Sequence, residues 1–257
     1  MRASALALAA TLLAGPAYAQ EAAGATSTDP LPPPAQNWSF DGPFGTFDRA
    51  SAQRGYQVWQ QVCNNCHSLK ELYYRNLGEI GFTPAEITAL AAAQQVPGDL
   101  NDNGEPTERP AKPSDHFRSP YANDKAARAA NGGALPPDHS LIVKAREDGP
   151  NYVFDLLNGY RPAPADFKVG QGLYYNIYFP GRQIAMPPPL TDGAVTYADG
   201  TPATVEQMSR DVTQFLTWAS YPELETRRQM GVKVVLFLVF MTGLTVAVKR
   251  KVWKDVH

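Results

Sequence analysis

Residues 63–67 read C-x-x-C-H, and this pentapeptide contains both cysteines of the 257-residue chain. The pattern is typical of covalent haem attachment, because two thiols three residues apart can add to the two vinyl groups of one porphyrin while the adjacent histidine binds its iron. We therefore predict one haem c, held by thioether bonds to Cys63 and Cys66, with His67 as an axial ligand.

Two other kinds of site share this pattern, a redox dithiol and half of a zinc site. A zinc site needs a second ligand pair at comparable spacing, and the other histidines (His116, His139 and His257) stand alone in the sequence. A redox dithiol is expected in a cytosolic βαβ setting. The context of the motif therefore decides among the three.

The N-terminal residues predict export of the chain. Residues 1–19 combine Arg2, an apolar run and the ending Ala17-Tyr18-Ala19, which together indicate a secretory signal peptide. Covalent haem attachment takes place on the exported side of a membrane, so this address agrees with the motif. Residues 20–38, rich in Pro, Ala, Ser and Thr, are expected to form a flexible leader, and residues 39–226 a periplasmic haem domain.

The C-terminal residues predict a membrane anchor. Residues 229–248 are almost wholly apolar and long enough to cross a hydrocarbon core once as a helix. Residues 249–257 form a basic tail, which the positive-inside rule places in the cytoplasm. The chain is thus expected to be a single-pass protein of a bacterial inner membrane, unless this segment is a buried core helix.

Acidic charge is concentrated on the exported part of the chain. Residues 20–226 contain 15 Lys and Arg against 24 Asp and Glu, a net charge of −9, although the whole chain sums to −2. The densest acidic run lies in a Gly/Asn/Pro-rich segment expected to be a loop, at Asp99, Asp102, Glu105 and Glu108. Such a run is commonly a solvated loop, but a field of this sign would also steer a basic partner.

Helical signals dominate the domain. Asp48 is a candidate N-cap for a helix that delivers the motif at its C-terminal end, and capping boxes begin at Thr83 and Thr204. A further helix is expected over residues 151–157, before Asn158-Gly159. We predict a mainly α fold: a cytochrome c-type haem domain with long loop insertions plus one C-terminal transmembrane helix.

The sixth ligand of the iron distinguishes electron carriers from haem enzymes. Outside the first residue and the apolar span, the only methionines are Met186 and Met208. Met208 lies on the apolar face of an amphipathic helix, which favours a core role, whereas Met186 precedes three prolines that stiffen its segment. Met186 is the favoured ligand; His116 and His139 are rivals, each expected to be an exposed loop histidine.

Several blocks resemble the cytochrome c1 family, from about residue 40 to residue 253. They are RGYQV before VCNNCHS, AARAAN with GALPPD, GLYYN with YFPG, DGTPAT and RRQMG, in residues 54–58, 62–68, 126–131, 133–138, 172–176, 178–181, 199–204 and 227–231. The resemblance implies Cys63 and Cys66 as thioether sites and His67 and Met186 as axial ligands. It also implies that Arg128 pairs with a haem propionate, which suits a guanidinium.

The resemblance further implies a membrane-anchored monohaem subunit of a quinol–cytochrome c reductase. Its partners would be a cytochrome b subunit, a Rieske iron–sulfur subunit as donor and a soluble or tethered cytochrome c as acceptor; no nucleic-acid partner is expected. Such a subunit passes single electrons and is not catalytic alone. The alternatives are an independent membrane-anchored shuttle, a subunit of a terminal oxidase, and a haem enzyme with an open distal position.

Overall fold

The computed structural model describes residues 28–255, so the predicted signal peptide and residues 20–27, 256 and 257 lie outside the described residues. Six α-helices are described: α1 Arg49–Gln61, α2 Pro84–Ala92, α3 Asp124–Ala130, α4 Gly149–Asn158, α5 Val205–Ser220 and α6 Leu224–Val252. Two antiparallel strand pairs join β1 Gln95–Leu100 to β2 Pro106–Pro110 and β3 Tyr174–Tyr175 to β4 Gln183–Ile184. Three short 3₁₀ helices span Cys63–Asn65, Tyr74–Ile80 and Pro180–Arg182. The predicted mainly α fold class is confirmed.

The predicted helix starts are found in the structure. Thr83 and Glu86 form a reciprocal capping box at α2, with the Thr83 amide donating to Glu86 Oε2 at 2.7 Å. Thr204 caps α5 by accepting the Gln207 amide at 3.1 Å, but the Gln207 side chain donates to Asp211 instead of returning to the cap. Both caps satisfy amides that have no partner within their helix.

The core of the domain is the crossing of α1 and α5. Asp48 caps α1. Gly55 of α1 lies so close to α5 that a Cβ atom at position 55 would be 1.9 Å from the Asp211 carbonyl oxygen. Only glycine permits this approach. Around the crossing, Trp59 and Phe215 are fully buried, and their ring centroids lie 6.1 Å apart. Because α1 leads directly into the C-x-x-C-H motif, this packing also positions the motif.

The acidic run lies on a β-hairpin, so the expectation of a simple loop was wrong. Strands β1 and β2 pair antiparallel, and the tip is closed by Asn101, whose side-chain oxygen accepts the amides of Asn103 and Glu105 at 2.9 Å each. Local side-chain bonds of this kind favour turns over helices. The hairpin holds the four acidic side chains on an ordered element.

Residues 28–38, part of the predicted flexible leader, run along the domain surface. The Leu31 amide donates to the Ile177 carbonyl at 2.9 Å, and Arg182 Nε donates to the Asp29 carbonyl at 2.7 Å. Further along, the Trp38 indole donates to Asn151 Oδ1 at 2.8 Å. This part of the leader is therefore hydrogen-bonded to the loops that follow α4 and to α4 itself.

Helix α6 leaves the domain after Arg228, which still donates to the Phe40 and Gly45 carbonyls. Leu224 is buried, whereas all large apolar residues of the span except the half-buried Met241 are exposed, and none of the most hydropathic window is buried against the protein. A core helix of a soluble protein would be mostly covered. The exposed apolar surface therefore agrees with a membrane helix, and α5 ends at Ser220 before it begins.

Candidate haem site

The motif forms a tight turn at the end of α1. The amides of Cys66 and His67 both donate to the Cys63 carbonyl, at 3.0 Å and 2.9 Å. Both cysteines are free and half-buried. The packing around Cys63 raises the pKa of its thiol to about 12, because burial disfavours the thiolate, so this sulfur carries its proton at neutral pH. Two free thiols on one turn fit a porphyrin attached through both.

The His67 ring is held in one tautomer. Its Nδ1 lies 2.8 Å from the Pro137 carbonyl oxygen, which can only accept, so Nδ1 carries the proton and donates. Nε2 therefore keeps its lone pair, the arrangement that a metal-binding imidazole needs. Burial lowers the pKa of His67, with the Pro137 and Asp138 interactions opposing only in part, so the ring is neutral at pH 7.

The loop that carries Pro137 is fastened to the chain after the motif. Asp138 accepts hydrogen bonds from Ser68 Oγ at 2.7 Å, the Lys70 amide at 3.0 Å and the Ser140 amide at 2.9 Å. Burial opposes ionisation of Asp138, but these hydrogen bonds outweigh it and lower the pKa of the carboxyl. An ionised Asp138 thus holds the Pro137 carbonyl against the His67 ring.

His139 is packed inside this site, and the expectation of an exposed loop histidine was wrong. Its ring stacks on His67 with centroids 4.0 Å apart and an interplanar angle of 18°. Its Nδ1 lies 3.3 Å from the indole nitrogen of Trp59, which can only donate. Burial, and then the neighbouring His67, lower the pKa of His139 well below its usual value. The only sequence signal for this position was its place after the Pro-Pro-Asp block.

Met186 is presented by a separate, braced loop. Strands β3 and β4 hold its base, and the Tyr160 hydroxyl donates to the Met186 carbonyl at 3.1 Å. Asn176, fully buried, ties the same loop to α4 through the Leu156 carbonyl at 2.8 Å. Neither Tyr160 nor Asn176 was predicted as a site residue from the sequence. Together with the prolines after Met186, these contacts limit the movement of the methionine.

Met208 and His116, two other residues considered as iron ligands, lie in different environments. Met208 is fully buried in the core on α5, as expected of a packing residue. His116 is exposed, and its ring contacts the Tyr73 ring at a tilt of 33°, with centroids 3.9 Å apart. Between residues 28 and 255, no group of three or more His, Cys, Asp or Glu side chains could hold a metal ion, so the zinc alternative gains no support.

Arg128 lies on the exposed face of the short helix α3, which Asn123 caps. One guanidinium nitrogen donates to the Gly133 carbonyl at 3.0 Å. That bond joins α3 to the loop that continues to Pro137, so Arg128 is connected to the His67 side of the site. Its guanidinium has five N–H donors, and several remain for an anionic group.

Comparison with known proteins gives one consistent result. The chain matches the Cytochrome C1 family over residues 38–256. It is 48% identical over 237 residues to cytochrome c1 of Rhodospirillum rubrum, covering 86% of this chain and 87% of that protein. A mitochondrial "Cytochrome c1 1, heme protein" of Arabidopsis thaliana is 51% identical over 86% of this chain and 72% of its own. The "Cytochrome b/c1" of Bradyrhizobium diazoefficiens is 46% identical over 88% of this chain but only 36% of its own length.

Proposed function

The chain belongs to the cytochrome c1 family, the haem subunit of the cytochrome bc1 complex, and from this premise we propose that it carries one covalent haem c and passes single electrons from a Rieske iron–sulfur subunit to a cytochrome c. The observation that carries the proposal is the His67 ring, whose Nδ1–H donates to Pro137 and whose Nε2 is left free beside two unpaired thiols. A bound haem c supplies an iron that gains and loses one electron at a time.

Each residue has a distinct part in this proposal. Cys63 and Cys66 would hold the porphyrin through thioether bonds, and His67 and Met186 would be the protein ligands of its iron. The Tyr160 hydrogen bond holds the backbone of Met186 in place. Arg128 would pair with a propionate through the donors that its bond to Gly133 leaves free. An iron held by two protein side chains would favour electron transfer over chemistry on a substrate.

The membrane topology follows from the charges beside α6. Lys249, Arg250 and Lys251 occupy its last turn, and the positive-inside rule assigns this end to the cytoplasm. The haem domain would then face the periplasm, where cytochrome c and the Rieske domain could reach it. A relative named for both cytochrome b and c1 supports a cytochrome b subunit as the partner of α6 within the membrane.

Met186→Leu tests the ligand assignment, and Met208→Leu is its matched control. Loss of the methionine sulfur should leave the haem covalently attached through Cys63 and Cys66. It should lower the reduction potential and let carbon monoxide bind the iron. For a one-electron couple, each tenfold change in relative ligand affinity between ferric and ferrous iron shifts the potential by about 59 mV. The measurements are a redox titration and the carbon monoxide difference spectrum of the full-length protein in detergent.

The control removes a sulfur of the same kind from the core. Met208 is 0% exposed, and a Met-to-Leu exchange in a core costs less than about 1.5 kcal/mol, so the potential should stay at the wild-type value. A Met186→Leu protein with unchanged potential and no carbon monoxide binding would exclude Met186 as the ligand. Copurification of a b-haem protein and an iron–sulfur protein with the wild-type chain tests the proposed complex separately.

A further inference from the structure

One aromatic side chain near α6 has no place in the haem domain. Trp38, Phe40 and Phe47 are all buried and pack into the core, but Phe44, between them in sequence, is 81% exposed. It lies in a turn of residues 41–45, in which every residue from 41 to 44 is exposed. Pro43 precedes Phe44, so the turn presents two exposed apolar residues in a row.

The turn is built rigidly. The Thr46 amide donates to the Ser39 carbonyl at 3.0 Å and the Asp41 amide to the Trp38 carbonyl at 3.1 Å. A Cβ atom at position 45 would lie 2.1 Å from the Asp41 carbonyl oxygen, so Gly45 is required for this close approach. The shape of the turn is therefore set by backbone contacts, and the exposure of Phe44 follows from that shape.

The same segment is fastened along the first turns of α6. The Phe47 amide donates to Glu225 Oε1 at 2.7 Å, and Arg49 pairs with both oxygens of that carboxylate. One helical turn further along, Arg228 Nη1 donates to the Gly45 and Phe40 carbonyls at 2.7 Å each. Residue 47 is bonded to Glu225 and residue 45 to Arg228, so residue 45 lies nearer than residue 47 to the part of α6 that enters the membrane.

The position of Arg228 gives the depth of the turn. It lies two residues before Met230, the start of the apolar run, which is about 3 Å of helical rise. Each headgroup region of a bilayer is about 5–7 Å thick. A turn hydrogen-bonded to Arg228 therefore lies at headgroup depth. Aromatic and apolar side chains are favoured there because they reach the acyl boundary.

We propose that the turn of residues 41–45 is a second membrane contact of this protein, with Phe44 inserted among lipid headgroups beside α6. The occupant of this surface is the lipid bilayer itself. Together with the bonds from Arg49 and Arg228, the contact would fix the tilt of the haem domain relative to the membrane plane, which a single helix alone leaves free to vary. This inference rests on the membrane anchor, not on the identity of the haem ligands.

The test places a spin label at this turn in the full-length haem protein in nanodiscs of phosphatidylcholine and phosphatidylglycerol. Phe44→Cys provides the attachment site, since the two native cysteines are taken up by haem, and loss of an exposed side chain leaves the core intact. Reference labels come from Val239→Cys in the middle of the span and Asn103→Cys at the tip of the β1–β2 hairpin. In the described part of the chain, no hydrogen bond or ion pair joins that hairpin to α6.

We expect the label at position 44 to lose collisions with a water-soluble nickel chelate and gain collisions with oxygen, to values between those at positions 103 and 239. Nickel accessibility equal to that at position 103 would show that the turn is in water. Accessibility equal to that at position 239 would place it in hydrocarbon. Protection that develops only in the assembled complex would identify a protein surface as the occupant. Each of these three results would overturn the proposal.

Discussion

The buried ion pair that locks α1 to α5 makes a quantitative prediction about stability. Arg54 donates to Asp211 through Nε at 2.9 Å and Nη2 at 3.0 Å, and the Asp211 side chain is 0% exposed. These interactions raise the pKa of Arg54 further above its usual value, despite partial burial. Arg54→Ala would leave a buried carboxylate that keeps its bonds from Ser51 and Gln207 but loses its cation.

Removing one partner of a buried pair costs about 3–5 kcal/mol, because the remaining charge is uncompensated. The two retained hydrogen bonds favour the lower end, about 3 kcal/mol. For a domain of this size, each kcal/mol shifts the melting temperature by about 2–4 °C, so we expect a fall of about 6–12 °C. The measurement is thermal unfolding of the full-length haem protein in detergent, followed by far-ultraviolet circular dichroism.

The same arginine supplies the control. Its Nη1 also pairs with Asp199 at 2.9 Å, but that carboxylate is 46% exposed, and exposed pairs contribute about 0–1 kcal/mol. Asp199→Asn should therefore change the melting temperature far less than Arg54→Ala. The double variant Arg54→Met with Asp211→Asn, which removes both charges, should recover part of the loss. Equal effects of Arg54→Ala and Asp199→Asn would refute the reasoning.

Two further predictions concern charge. Replacing the four hairpin carboxylates by amides should flatten the salt dependence of electron transfer to a basic cytochrome c. Salt screens this attraction, since the Debye length falls from about 30 Å at 0.01 M to about 10 Å at 0.1 M. If stopped-flow rates keep the wild-type dependence on ionic strength, the hairpin does not face the partner. The substituted positions are Asp99, Asp102, Glu105 and Glu108. Asp155 is 5% exposed, its Oδ2 has no hydrogen-bond partner in the described chain, and burial raises its pKa from 3.8 to about 6. The folded state therefore binds more protons than the unfolded state between these values, so stability falls as pH rises through this window and the cost persists above pH 6. Asp155→Asn should stabilise the protein at pH 7.5 by about 1–3 kcal/mol, with a gain that shrinks towards pH 4; urea unfolding at both pH values measures it, and a gain independent of pH would contradict the assignment.

Features that depend on neighbours in the chain were predictable from the sequence. The cap at Asp48, the capping box at Thr83, the separate helix after Thr204 and the apolar helix α6 all occur where their local patterns place them. The geometry of the C-x-x-C-H motif is also local, because one turn of the chain brings both cysteines and the histidine together. The roles of Cys63, Cys66, His67, Met186 and Arg128 in haem binding remain predictions.

Contacts between distant residues were decided only by the tertiary structure. Pro137 meets His67 across 70 residues, His139 stacks on the same ring, and Arg54 reaches Asp211 across 157 residues. No spacing in the sequence encodes these pairs, because each exists only when α1, α5 and the 137–140 loop pack around one core. The sequence by itself predicted the C-x-x-C-H groups of the site and the apolar span of α6. The packing decided which tautomer His67 adopts, because a ring nitrogen can be assigned as a donor only when its acceptor is in place.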